Sequence, residues 1–408
     1  MVHWRLLLLV ATIAVCATNG EAKSTASSRS TAAERTGRYK SLLTDYFALP
    51  RHPYLNEVNW INARAGILSE FEKILHNVPN TTMEIQDFHT SISFVPNIAT
   101  EIKGKNIIVT FAGRNRGKAG DEILVIGAHY DSDASVLISI DDNGSGVVAM
   151  LEIARGLADA IVNRKAVLVN TIMFVAFDIQ NEFSDGMAQI GGSSFFVKEK
   201  LATILDSQPK PSFLGAIILD SVMNYNSSEG SQVLPNGFEK SFPEAFSQIQ
   251  ANLYKGNYLA MVTKERLRSL QLDYSIAQEW NRTDTQQRYP LYQLEIRRTA
   301  ASPALFEFLK QDHVPFWNFE NNPLSAVLLT DTSKWRGIQR MCGITICNST
   351  QLLTSDRLNM LDQVVVTLER FISQSHLDGS VSIDTGSGTS IYASLSATIL
   401  TVLIAYLM

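Results

Sequence analysis

Four separated groups of histidine and acidic residues in this chain have the chemistry of metal ligands. His-Tyr-Asp at residues 129–131 follows an apolar run, and Asp-Asp-Asn-Gly-Ser-Gly at 141–146 comes soon after it. Asp220 ends a second apolar run, and Asp-His stands at 312–313. Imidazole and carboxylate are preferred zinc ligands. These residue types, placed at or after the ends of apolar runs, predict a metal site.

The apolar runs before these groups predict the strands that position them. Residues 123–128, 171–177 and 214–219 are continuously apolar, as expected for strands covered on both faces. Further strands are predicted at 81–93, 106–111 and 325–329, and amphipathic helices at 56–75, 146–161 and 358–372. Alternating strands and helices indicate an α/β fold, a three-layer sandwich with a mostly parallel central sheet. Because ligands bind beyond the carboxyl ends of parallel strands, His129, Gln180 and Asp220 are expected to lie near each other.

These motifs, in this order, resemble those of the co-catalytic (two-zinc) aminopeptidase family. That family also contains the glutamate carboxypeptidases and, more distantly, the glutaminyl cyclases. The resemblance covers residues 56–374 and implies a zinc-peptidase-like α/β domain, placed here at 41–375. It also implies zinc as the cofactor, two ions in the family, and a peptide or peptide-like substrate cut near a free terminus.

The resemblance assigns a role to each matching position. One ion would be bound by a histidine and an aspartate, and a second aspartate would bridge both ions. Two further positions would complete the coordination of the second ion. Asp131 would hold the imidazole of His129 by a hydrogen bond. The implied metal ligands are His129, Asp142, Asn181, Asp220 and His313.

The stretch after residue 177 departs from the family pattern. The family has two adjacent glutamates there, whereas this chain has Gln180 and Asn181. Gln180 takes the position of the general base, and an amide cannot accept a proton from metal-bound water. Glu182 (or Asp185) is a replacement if the longer loop to Gly192 shifts the register.

Two hypotheses follow from this departure. In the first, the protein is an extracellular zinc metallo-exopeptidase in which Glu182 supplies the base. In the second, it is a catalytically impaired member of the family that acts as a cell-surface binding module.

Both ends of the chain have the composition of processing signals. Residues 1–22 predict a signal peptide, and 23–40 a disordered leader rich in Ser, Thr and Ala up to residue 35. At the other end, a linker at 376–390 precedes an uncharged apolar tail at 391–408. This pattern favours a GPI anchor attached at Asp378 or Ser380, with a transmembrane tail as the alternative.

The remaining features fit an extracellular glycoprotein. A formal net charge of −5 argues against a nucleic-acid partner. Cys342 and Cys347 are expected to form a local disulfide, because a cysteine metal site would need further ligands nearby. Glycosylation sequons occur at Asn80, Asn226, Asn281 and Asn348. The sequon at Asn143 is discounted because it lies inside the proposed metal loop.

Overall fold

A computed structural model describes residues 30–95, 98–132, 139–180, 191–265, 272–297, 302–319, 322–336 and 349–378. The strands are β1 (Thr81–Val95), β2 (Ile98–Phe111), β3 (Glu122–His129), β4 (Val167–Leu168), β5 (Thr171–Phe177), β6 (Ser212–Leu219), β7 (Leu259–Lys264), β8 (Leu291–Ile296), β9 (Ala326–Thr330) and β10 (Leu377–Asp378). The longer helices are α1 (Ala32–Tyr46), α2 (Glu57–Leu75), α3 (Gly144–Val162), α7 (Pro243–Ala251), α8 (Leu272–Thr283) and α12 (Ser355–His376). The short ones are α4 (Gly192–Phe195), α5 (Ala202–Leu205), α6 (Phe238–Ser241), α9 (Pro303–Glu307), α10 (Val314–Trp317) and α11 (Ser349–Leu352), with a π-helix at Phe196–Leu201 and a 3₁₀ turn at Ser333–Trp335.

Eight strands form one mixed sheet in the order β1-β2-β5-β3-β6-β9-β7-β8. The central strands β5, β3, β6 and β9 run parallel to one another, and β7 and β8 are parallel to each other. The hairpin β1–β2 pairs antiparallel with β5, and β7 pairs antiparallel with β9. The two small strands β4 and β10 pair separately.

Alternate side chains of the central strands enter two different cores. On β3, Leu124 and Ile126 pack with the residues of α1, α2, α3, α8 and α12. Ile123 and Val125 point to the opposite core, which α6, α7, α9 and α10 complete. The sheet is therefore covered by helices on both faces, which explains why its central strands are continuously apolar.

The predicted fold class is confirmed. The strands predicted at 123–128, 171–177 and 214–219 correspond to β3, β5 and β6, and the predicted helices correspond to α2, α3 and α12. The sequence pattern did not reveal β7, β8 or α8. These elements form and cover the far edge of the sheet, beyond the strands that carry the site.

The prediction of a disordered leader over residues 23–40 is wrong in its second half. Helix α1 begins at Ala32, and its first turn is closed by a capping box between Thr31 and Glu34. Tyr39 and Leu43 are fully buried against the other helices, so this segment belongs to the domain. Serine and threonine indicated disorder by composition, although here threonine caps a helix.

The predicted linker at 376–390 also begins too early. His376 ends α12 with 2% of its surface exposed, and β10 continues to Asp378 by pairing with β4. No helix among the described parts of the chain combines the length and hydropathy needed to cross a membrane. The tail at 391–408, Ser380, Cys342, Cys347 and Asn348 lie outside the described residues.

A fully buried arginine connects the segment after α1 to the end of β3. The Arg51 guanidinium donates hydrogen bonds to the carbonyl oxygens of Tyr130 (2.8 Å), Phe47 (2.8 Å) and Leu49 (3.0 Å). It also donates to the carbonyl oxygen (2.9 Å) and the hydroxyl (3.0 Å) of Ser139. Burial lowers the pKa of Arg51 to about 10, against the opposing effect of nearby carboxylates.

We expect Arg51→Met to lower the free energy of unfolding by about 3 kcal/mol or more, because several buried carbonyl groups lose their donor. Arg297→Met is the control: Arg297 is half-exposed and paired with Glu295, so its loss should cost less than about 1 kcal/mol. Urea denaturation measures both. Equal destabilisation by the two substitutions would contradict this role for Arg51.

Candidate metal centre

The carboxyl ends of three neighbouring strands bring the predicted site residues together. His129 is the last residue of β3 and pairs in register with Phe177 at the end of β5. β6, on the other side of β3, ends at Leu219, directly before Asp220. Ile179 and Ser221 have φ of 57° and 56°, so the chain turns sharply directly after β5 and β6. Non-glycine residues rarely adopt this conformation, and such strain is typical of functional sites.

Asn143 fixes the position of the neighbouring Asp142 at the start of α3. Its side-chain oxygen accepts hydrogen bonds from the backbone N–H of Gly146 (3.1 Å) and Ser221 (3.0 Å). Its amide nitrogen donates to the carbonyl of Leu219 at 2.8 Å. A Cβ at Gly146 would lie 2.5 Å from that carbonyl oxygen, so glycine is required for this close approach. Asn143 is fully buried, consistent with the discounted sequon.

His129, Asp142 and Asp220 form a compact cluster of metal-type donors. The His129 Nε2 atom lies 3.7 Å from Asp142 Oδ1 and 3.7 Å from Asp220 Oδ1. One donor atom from each residue lies within 4.8 Å of the others. The side chains of His129 and Asp220 are 1% and 8% exposed, whereas that of Asp142 is 20% exposed. The cluster is therefore reached from the side of Asp142.

Asp131 orients the imidazole of His129. The Nδ1 atom of His129 lies 3.2 Å from Asp131 Oδ1, and both Asp131 oxygens accept from the backbone N–H of Gln180 at 3.1 and 3.0 Å. Burial by itself would lower the pKa of His129, but the hydrogen bond to Asp131 and the charge of Asp220 raise it well above its ordinary value. A proton on Nδ1 leaves the Nε2 lone pair free to face the cluster.

The donor set fits one zinc ion. His129 Nε2 is buried and has no hydrogen-bond partner of normal geometry among the described residues, as expected of a nitrogen reserved for a metal. Zinc with ligand distances of about 2.0–2.1 Å in a tetrahedral arrangement places its donors about 3.3 Å apart. The 3.7 Å separations in the cluster need only a small adjustment to meet that geometry.

Gln180 lies beside this cluster, at the position predicted for the general base. Its side chain is buried, and its Nε2 approaches the carbonyl of Lys310 at 3.5 Å. Its Oε1 has no partner of normal geometry among the described residues. Asn181 and Glu182 lie outside the described residues. The chain is close to this point again at Gly191, because a Cβ added there would lie 2.4 Å from the carbonyl oxygen of Ile179.

The structure does not bring His313 into the cluster. Its ring packs edge-on against Trp317, with centroids 4.2 Å apart. Burial lowers the pKa of His313 to about 3, and the nearby Lys264 ammonium lowers it further. The sequence interpretation placed this histidine beside Asp142, but the cluster found among the described residues comprises His129, Asp142 and Asp220.

Two residues of the site had no role in the sequence interpretation. Asp312 is fully buried, and burial raises its pKa to about 7, with His129, Asp131 and Asp220 among the charges acting on it. Ser333 donates from its hydroxyl to Asp142 Oδ2 at 3.1 Å. Asp312 was visible only as the neighbour of His313. Nothing in the sequence marks Ser333, which reaches the site from the turn after β9.

Comparisons with known proteins agree with the fold and the cluster. Residues 106–281 match the sequence profile described as Peptidase family M28. The chain superposes on a glutaminyl cyclase of Porphyromonas gingivalis with a TM-score of 0.50 and 17% identity, covering 84% of this chain and 98% of that one. A Bacteroides thetaiotaomicron glutaminyl cyclase bound to N-acetylhistamine superposes with a TM-score of 0.50 and 14% identity, covering 84% of this chain and 97% of that one. A Zn-dependent exopeptidase from Parabacteroides distasonis superposes with a TM-score of 0.48 and 13% identity, covering 84% of this chain and 97% of that one. No curated protein sequence matched the chain.

At these identities the structural likeness concerns the fold alone. The matched segment, however, contains His129, Asp142 and Asp220, which the structure brings together. Residues 106–281 are therefore similar to the M28 peptidases over the segment that carries the three residues of the cluster. This similarity supports a zinc metallohydrolase.

A buried acid next to the site gives a pH-dependent prediction. Asp178 follows β5 and accepts hydrogen bonds from Trp60 Nε1 (2.7 Å) and the backbone N–H of Lys105 (2.8 Å). Burial raises its pKa to about 7, and the nearby charge of Asp131 adds to the shift. In the unfolded chain its pKa is about 3.9. At a pH between these two pKa values, the folded protein therefore keeps a proton on Asp178 that the unfolded chain has lost.

We expect the contribution of Asp178 to the free energy of unfolding to fall as the pH rises from about 4 to 7, by at most about 1.4 kcal/mol per pH unit. Asp178→Asn cannot titrate and should lack this slope. Urea denaturation of both proteins across that range gives the difference. Parallel pH profiles of the two proteins would show that Asp178 is not the titrating group.

Proposed function

We propose that the protein is an extracellular exopeptidase that uses zinc to hydrolyse peptide bonds near a free terminus. The observation that carries the proposal is the buried triad of His129, Asp142 and Asp220 at the carboxyl ends of the central strands. Fold alone does not define activity, so the argument rests on these donors. Restriction to the ends of peptides is inferred from the family, and nothing in the cluster selects the amino over the carboxyl terminus.

Each residue of the centre has a separate task in this proposal. A zinc ion on the triad would supply a Lewis acid for the scissile carbonyl and would acidify bound water. Asp131 holds His129 in the tautomer that presents Nε2 to the cluster. Asp142 is the most exposed ligand, and substrate would approach along its side.

The proton of the attacking water needs a base other than Gln180. An amide oxygen is too weakly basic to remove that proton at neutral pH. General-base catalysis contributes about 10²–10⁴-fold to rates. We assign the base to Glu182, which lies two residues beyond Gln180 and is the first carboxylate after it.

The experiment measures hydrolysis of a panel of aminoacyl amides and dipeptides. We expect zinc-dependent activity that a chelator abolishes, that Glu182→Ala removes and that Gln180→Ala leaves within about threefold of the parent, because only Glu182 acts on the proton. Glu182→Gln is the matched control, since it keeps the size but removes the base. Activity unchanged in both Glu182→Ala and His129→Ala would refute the proposal.

A second candidate function is a cell-surface binding module that no longer cleaves. The buried amide of Gln180 at the position of the base favours it. This candidate requires saturable peptide binding with no turnover by the parent protein. Gln180→Glu would then restore hydrolysis. If a Gln180→Glu variant that is folded and binds zinc does not hydrolyse peptides, the substitution at this position does not explain the loss of cleavage.

The extracellular location and lipid anchor belong to the proposal and rest on the sequence. Asn80 and Asn281 are exposed and Asn226 is half-buried, so glycans can be attached at the first two without disturbing a core. We expect phosphatidylinositol-specific phospholipase C to release the protein from expressing cells, because a polar spacer followed by the uncharged apolar segment 391–408 has the pattern of a GPI-attachment signal. Flow cytometry before and after treatment measures the release. Retention would support the transmembrane alternative.

A further inference from the structure

The two oxygens of the carboxylate that matches the bridging position of the family have different partners in this chain. Asp142 Oδ1 faces His129 Nε2 at 3.7 Å, while Asp142 Oδ2 accepts a hydrogen bond from Ser333 at 3.1 Å. A bridging carboxylate must offer one oxygen to each cation. We propose that the centre holds a single divalent cation, on His129, Asp142 and Asp220. This inference rests on the metal site of the proposed function and not on turnover.

The backbone of Ser333 is fixed in place beneath Asp142. Its N–H donates to Asp331 Oδ1 at 2.8 Å, and the other Asp331 oxygen accepts from the N–H of Asn224 at 2.7 Å. Thr332 and Ser333 have φ of 78° and 43°, which marks a tight turn directly after β9. Ser333 is therefore held where its hydroxyl meets the oxygen that a second cation would need.

His313 packs against an aromatic ring and is not part of the cluster of His129, Asp142 and Asp220. Its ring lies against Trp317, and the Lys264 ammonium lies over that same indole at 5.6 Å from the ring centroid. A cation coordinated by His313 would be repelled by this ammonium group.

The ligand charge also matches one cation. Asp142 and Asp220 supply two negative charges, and neutral His129 adds none, so one Zn²⁺ is balanced. The two positions that carry glutamate in the family are the neutral amides Gln180 and Asn181. A second Zn²⁺ would therefore meet neutral amides at the two positions where the family supplies carboxylates.

The test is the metal content of the purified full chain after saturation with zinc and desalting into metal-free buffer. Inductively coupled plasma mass spectrometry should give one zinc per chain in the parent and in His313→Ala, and none in His129→Ala. His89→Ala is the control, because His89 is exposed on the β1–β2 hairpin beside Glu101. Circular dichroism verifies that each variant is folded.

Two zinc ions in the parent, or loss of an ion in His313→Ala, would overturn the single-cation inference while leaving the proposed hydrolase intact. Zinc absent from a folded parent protein would overturn the inference and the metal-dependent function together. One zinc per chain without hydrolysis would support the inference and contradict only the proposed activity. Loading with Co²⁺ provides a second readout: a single high-spin ion gives an uncoupled electron paramagnetic resonance signal, whereas a bridged pair does not.

Discussion

Two carboxylates, Asp142 and Asp220, lie the same 3.7 Å from one imidazole nitrogen in a largely buried place. Burial makes their mutual repulsion expensive unless a positive charge lies between them. Burial by itself would lower the pKa of His129, but Asp131 and Asp220 raise it well above its ordinary value. A divalent cation on the cluster would compete with a proton for His129, which couples metal binding to proton release.

The surrounding structure holds the carboxylates of Asp142 and Asp220 close together. Asn143 links the start of α3 to the end of β6, so Asp142 cannot move independently of Asp220. Arg51 holds the end of β3 against the segment that follows α1. The parallel register of β3 with β5 and β6 sets the level at which all three strands end. The hydrogen bonds of Asn143 and Arg51 thus help to offset the cost of concentrating negative charge at the cluster.

Much of this arrangement could be predicted from the sequence, because it depends on local patterns. The apolar runs of β3, β5 and β6 have no other plausible place than a covered sheet, and the polar residues that end them must then meet at one edge. His313 and Ser333 could not be placed in this way. Each is positioned by a loop whose direction depends on tertiary packing, against Trp317 for His313 and through Asp331 for Ser333. Helix α1 was missed because its first turn uses a threonine cap that composition alone does not distinguish from disorder.

The donors proposed for one ion lie together in this chain. The two positions that carry glutamate in the family are the amides Gln180 and Asn181, and His313 packs against Trp317 outside the cluster. The most direct test is a crystal structure of the zinc-loaded protein with anomalous data collected at the zinc edge. The account predicts one anomalous peak within about 2.0–2.2 Å of His129 Nε2 and of oxygens from Asp142 and Asp220. A peak bound by His313, or no peak at the triad, would contradict it.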